Sequence, residues 1–202
     1  MENMSEDRNA LLTALVTEHS VQQSIASSTI GEASGRASLY MTALSSTLIA
    51  LGFLSGTEGF GPFVGAAFPV VLILGWFTIA RLIDTSIQAI VASERVNTIR
   101  AYYTTLTEDA AQFFPGAGHV AGRDTTEVAL AHTRLAPFLT TAMMIGTVNA
   151  VLAGASAGLA VTGGFGASLT VGVIGGIVVA IAAVAAAFRY QQSRFTNAFP
   201  GA

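Results

Sequence analysis

The sequence has no cysteine, and every one of its nine basic residues is arginine, so lysine is missing as well. Without cysteine there are no disulfides, no thiolate metal sites and no thiol nucleophile. Charge is scarce too. Only 10% of the 202 residues are charged and 52% are hydrophobic, whereas a soluble domain carries roughly 25% charged residues. The shortage is concentrated. From Leu135 to Phe188 there is no Asp, Glu, Arg or His, and between Ala37 and Ala80 the only charge is Glu58. A soluble chain of this length needs charged faces on nearly every helix, so a membrane protein is expected.

Each charge-poor block is too long for one crossing, because about 20 helical residues span roughly 30 Å of hydrocarbon. Each therefore divides into two spans at a glycine-rich turn, "SGTEGFGP" (55–62) in the first and "TGGFGAS" (162–168) in the second. The expected fold is all-α: a polytopic four-helix bundle with spans at 37–56, 62–80, 137–161 and 168–188. Continuous apolar runs favour helices over the alternating segments of a membrane β-barrel.

The arginines fall at Arg8, Arg36, Arg81, Arg95, Arg100, Arg123, Arg134, Arg189 and Arg194, and neither short turn carries one. The positive-inside rule then assigns residues 1–36, 81–136 and 189–202 to the cytoplasm, in the cell (inner) membrane. An even number of spans likewise places both termini on one side. The N-terminus is acidic at Glu2, Glu6 and Asp7, unlike a cleavable signal peptide.

Helical periodicity does not stop at the second block. From Leu82, steps of three and four give Thr85, Ala89, Ala92, Val96, Ile99, Tyr103, Leu106, Ala110 and Phe113. This largely apolar seam excludes the charged residues and ends at Pro115. The N-terminal segment has a weaker seam of Leu12, Val16, His19, Gln23, Ala26, Ile30, Ala33, Ala37 and Tyr40. These features predict cytoplasmic extensions of the first two spans, 5–36 and 81–112, paired as a helical stalk within or between subunits. Asp124 to Glu127 has capping-box spacing for a further short helix, and Pro137 is expected to kink or start one. Pro69 is expected to kink the second span.

Glycine pairs at four-residue spacing occur at Gly31/Gly35, Gly61/Gly65, Gly154/Gly158 and Gly172/Gly176, which in lipid allow close helix approach. The smooth fourth span suggests a helix packed between neighbours. Tyr40, Phe138, Phe188 and Tyr190 mark one aromatic belt, and Phe60, Phe63 and Phe165 the other; Trp76 lies deeper.

Candidate functional residues are few. Asn149, with Thr140, Thr141, Thr147 and Ser156, offers a polar lining for a pore, although an amide at that depth more often makes an interhelical hydrogen bond. Ser45, Ser46 and Thr47 fit backbone-bonded hydroxyls. Arg81 and Asp84, one turn apart, suit a gate, an interface or a headgroup contact, or else anchor the depth of the helix. His19, interrupting the N-terminal seam, is a pH-sensing candidate. His119 and His132 lack the partners of a metal site. "GAGHVAG" (116–122) departs from phosphate-loop spacing, and no catalytic spacing is found. No metal, cofactor, enzymatic activity or nucleic-acid partner is expected. Two functions fit this pattern: a homo-oligomeric passive channel for an ion or small solute, and a non-conducting anchor or regulatory subunit. The anchor would bind a cytoplasmic partner through residues 1–36 and 81–113. The lipid bilayer is a partner in both.

Overall fold

The computed structural model describes residues 2–117 and 140–199, with side chains from residue 6 onward. Within them the fold is all-helical: α1 (Glu2–Leu54), α2 (Phe60–Tyr103), a 3-10 segment (Ala110–Phe113), α3 (Thr141–Phe165) and α4 (Leu169–Ala198). All four α-helices are long and apolar enough to cross a membrane. The positions of Pro137, Phe138, Arg123, Arg134, His119, His132 and the Asp124–Glu127 capping box lie outside the described residues.

Both turns are shorter than the glycine content implies. The helix absorbs Phe60, Gly61 and Pro62, since a proline in the first turn removes an N–H that has no helical acceptor there. At the other turn α3 runs through Gly163 and Gly164 and stops at Gly166, whose φ of 65° is the left-handed conformation that glycine adopts freely. The Ser168 side chain then accepts the Val171 N–H at 3.4 Å and starts α4. α2 continues through Pro69.

α2 ends at Tyr103 instead of continuing to residue 112. The cause lies in "TTLTED". The Thr104 and Thr105 hydroxyls donate to the Ala101 and Tyr102 carbonyls, each at 2.7 Å, and compete with the next helical turn. Up to that point the seam on α2 holds: Leu82, Thr85, Ala92, Val96 and Ile99 are buried, as is Ala110 beyond it. Phe113, assigned to the seam, is 71% exposed.

The chain divides into two compact units: Met1–Glu32 with Thr85–Thr133, and Ala33–Asp84 with Arg134–Ala202. α1 and α2 contribute to both. In the first unit the inward face of α1 differs from expectation at every second position. Gln22 and Thr29 are buried, and Leu12, Leu15, His19 and Ala26 are partly so. Val16 and Ile30 are 61% and 69% exposed, and Gln23 is exposed with them. The inward face steps by three after Leu12, His19 and Ala26, reaching Leu15, Gln22 and Thr29 where the expected seam steps by four. Sequence offers little to separate the two registers, since Leu15 and Val16 are both apolar and Gln22 and Gln23 are identical.

The second unit is the charge-poor one. Its core joins Tyr40 and Leu44 of α1, Phe68, Val71, Ile79, Leu82 and Ile83 of α2, and Ala142, Met143, Ile145, Ala150 and Leu152 of α3. Tyr40 is 0% exposed and so belongs to this core, not to an aromatic belt. α3 and α4 meet backbone to backbone. A Cβ at Gly158 would come within 2.9 Å of the Gly172 carbonyl oxygen, and one at Gly176 within 2.7 Å of that of Gly154. α4 is not enclosed by neighbours of its own chain, since only Gly172, Gly176, Ala187 and Gln191 on it are buried. Small residues give it one thin contact face, and valines and isoleucines cover the remainder.

Candidate functional site

The best-defined polar site lies where α1, α2 and α3 meet. Glycine at position 75 clears the space for it: a Cβ there would meet Asn149 Cγ at 2.5 Å and Tyr40 Cε2 at 2.8 Å. Into that gap α3 inserts Asn149. Its Oδ1 accepts a hydrogen bond from the Tyr40 hydroxyl at 3.2 Å, and its Nδ2 donates to the Leu72 carbonyl at 3.3 Å. One amide thus ties three helices together. In apolar surroundings its hydrogen bonds have few competitors, which favours this single register.

Of the other lining candidates on α3, only Ser156 shares that face. At about 100° per residue, Ser156 lies within about 20° of Asn149 around α3, Thr141 about 80° away and Thr147 about 160° away. Hydroxyls on this helix are also engaged locally. Thr147 donates to the Met143 carbonyl at 2.8 Å, and Ser156 to the Leu152 carbonyl at 2.7 Å. Thr140 is the N-cap of α3, accepting the Met143 N–H at 3.3 Å, and its hydroxyl approaches Gln191 Oε1 at 3.4 Å. Thr141 and Thr147 are exposed. Thr47 bonds back to the Ala43 carbonyl at 2.8 Å, as a hydroxyl in an apolar helix should.

A second polar cluster sits at the charged end of the same unit. Arg194, near the end of α4, donates to Asp84 Oδ1 at 2.5 Å. The hydrogen bond first, and the carboxylate charge second, raise the arginine pKa above its ordinary value. Asp84 is therefore engaged by α4, where proximity in sequence suggests Arg81, which makes interactions of its own. One turn along, the rings of Tyr190 and Trp76 pack at 5.3 Å. Gln191, one turn before Arg194 on α4, is buried and faces Thr140 at the start of α3. Sequence reading does not single out Gln191 or Arg194 as site residues, although Gly172, Gly176, Ala187, Gln191 and Arg194 follow one helical face. Gly75 carries its own signal as an isolated glycine inside an apolar helix.

In the first unit the His19 ring stacks on Tyr103 at 6.1 Å, and Tyr103 packs on Phe114 at 5.5 Å. Among the described residues, His19 Nδ1 and the Tyr103 hydroxyl are buried without a hydrogen-bond partner. Glu18, the residue before His19, accepts from Gln22 Nε2 at 2.6 Å.

The outward face of α1 has a composition of its own. Thr13, Thr17, Ser20, Ser24, Ser27, Gly31, Gly35, Ser38, Thr42 and Ser45 succeed one another in steps of three and four, and all are exposed. A Cβ at Gly31 or Gly35 would meet nothing within 4 Å.

No three His, Asp or Glu side chains converge as a metal site among the described residues. No protein-family model, curated protein or solved structure matches the chain.

Proposed function

We propose that the protein crosses a lipid bilayer four times as two helical hairpins and serves as a homo-oligomeric anchor, presenting a cytoplasmic helical platform to a protein partner. The observation that carries this reading is the division of α1 and α2. Each runs unbroken from the charge-poor bundle into a separate compact unit that holds most of the acidic residues. The turns at 55–59 and 166–168 lie on the far side of the membrane, and both termini, with the central segment, on the arginine-rich cytoplasmic side.

Self-association is supported by the outward face of α1. In the apolar half of the helix a face toward lipid would carry Leu, Ile and Phe. This face is Thr, Ser and Gly through both the charged and the apolar halves of the helix. A neighbouring helix of comparable length suits such a surface, and small residues let two backbones approach closely. Because the chain has no cysteine, a Ser38→Cys variant reports on this directly. It should form a disulfide-linked dimer in membranes, whereas Leu44→Cys, on the buried face, should not. Dimers formed equally from both positions would rule out this face.

A passive channel is the second reading. Exposed Thr141 and Thr147 favour it, since an assembly could turn them toward a lumen. Asn149 supports the anchor better, because both ends of its amide are occupied within one chain. Liposomes holding the purified protein should show no flux of monovalent ions above empty vesicles; flux abolished by Thr147→Val would support the channel instead.

A further inference from the structure

We propose that the arginine-bearing end of the charge-poor unit binds the phosphodiester of an anionic phospholipid at Arg189 and Arg194, beside the Trp76–Tyr190 ring pair. This inference rests on the four-span membrane reading above. At this end α2 and α4 carry Arg81, Arg189 and Arg194 against a single carboxylate, Asp84. α4 has no Asp or Glu, and the next acid along α2, Glu94, lies about 15 Å beyond Asp84. The positive excess attracts a lipid of net negative charge, whereas a zwitterionic headgroup would bring its ammonium among the guanidinium groups.

The open polar atoms decide the chemistry of the ligand. Asp84 Oδ1 accepts from Arg194 Nη2 at 2.5 Å. That contact uses one N–H of a guanidinium that carries several, and the Arg194 side chain stays 46% exposed. Arg189, one residue before Tyr190, is exposed as well. Trp76, 45% exposed, packs its ring against half-buried Tyr190. Among the described residues, neither the Trp76 N–H nor the Tyr190 hydroxyl has a hydrogen-bond partner. The site is therefore rich in donors, and its one carboxylate is engaged. A phosphodiester with its ester carbonyls, which only accept, matches it; a free amine, which needs acceptors, does not. Depth agrees. Tyr190 lies one turn, about 6 Å, nearer the apolar middle than Arg194, and Trp76 about 12 Å nearer than Asp84. The rings thus fall at the level of the ester groups, where amphipathic aromatics settle, and the guanidinium groups at that of the phosphate.

Trp76 is the only tryptophan of the chain, so its fluorescence reads this site directly in the full-length protein. The protein is placed in phosphatidylcholine vesicles that hold a fixed share of either phosphatidylglycerol or phosphatidylcholine brominated in the acyl chains, a contact quencher of tryptophan. Quenching by the brominated phosphatidylcholine checks that Trp76 lies in the bilayer. Its absence marks failure of the membrane reading and not of the headgroup site. Brominated phosphatidylglycerol should quench more strongly, with a relative affinity of about five-fold, the effect of one arginine near anionic lipid. The double variant Arg189→Gln, Arg194→Gln should bring the two lipids to parity. If it folds poorly, Arg189→Gln alone should lower the preference in part. The equal charge loss of Arg95→Gln, Arg100→Gln, further along α2, should leave the preference intact. Asp84→Asn, which breaks the same ion pair but keeps both arginines, should hold or raise it, and so separates charge from structure. Equal quenching by the two lipids, a preference that survives the Arg189 and Arg194 substitutions, or one lost in Asp84→Asn or in the Arg95 and Arg100 control would overturn the proposal. So would displacement of the brominated phosphatidylglycerol by millimolar inorganic phosphate, which would make this a site for a soluble anion.

Discussion

The α3–α4 crossing and the outward face of α1 are built from the same kind of residue, yet one is closed and the other open. At the crossing, Gly154/Gly158 and Gly172/Gly176 face each other so closely that added Cβ atoms would strike backbone carbonyls. On α1, Gly31/Gly35 have the same spacing and nothing opposite them, and Gly61/Gly65 on α2 are equally open. Spacing alone therefore does not decide contact. What differs is the reach of the surrounding side chains. α4 brings two glycines and Ala187 along one face to meet α3, whereas the inward face of α1 is set by Tyr40 and Leu44, which turns the glycine pair away.

That contrast can be broken by substitution. The largest effect is expected from Gly154→Leu or Gly176→Leu, which must separate the α3 and α4 backbones. Overpacking of this kind costs about 1–3 kcal/mol or more, seen as a lowered Tm in detergent or bicelles. Gly75→Val should come next, because its side chain would occupy the space of Asn149 and Tyr40. Asn149→Ala removes the amide without adding bulk and should cost about 0.6–2 kcal/mol in the same assay. Gly31→Leu and Gly65→Leu should leave the Tm of the single chain unchanged, while Gly31→Leu abolishes the dimer reported by Ser38→Cys. A Gly31→Leu protein as unstable as Gly154→Leu would erase the contrast. Asp84→Asn should have the smallest effect, within the scatter of repeated Tm measurements, since Arg194 and Asp84 are both partly solvated.

How much of this is legible in the sequence depends on which physical signal is local. Exclusion of charge locates all four apolar helices, because each charge-poor block holds two apolar runs of about 20 residues on either side of a glycine-rich turn. The α2 seam is legible because Val96 and Ile99 stand out against Glu94, Arg95 and Arg100. The α1 seam is half legible. Leu12, His19 and Ala26 fall on the inward face as expected, but choosing between Leu15 and Val16, or Thr29 and Ile30, depends on what lies opposite. Thr104 and Thr105 hold the early stop of α2, a signal hidden beneath a periodicity that continues past them. Asn149 stands out as an amide in an apolar run, but its partners Tyr40 and Leu72 are more than 70 residues away in sequence. No spacing rule reaches that far. Nor does one lead from Asp84 to Arg194, since Arg81 stands one turn away on the same helix and the arginine that engages Asp84 sits on another.

The central claim is that both charge-poor blocks double back through lipid and leave the arginine-rich segments on one side. In this cysteine-free chain the direct measurement is labelling of single-cysteine variants in intact cells with a membrane-impermeant maleimide. Thr57→Cys and Ala167→Cys, in the two turns, should label from outside, and Ser20→Cys and Thr98→Cys only after lysis. External labelling of Thr98→Cys with the turns protected would contradict the topology, and with it the cytoplasmic platform of the proposed anchor.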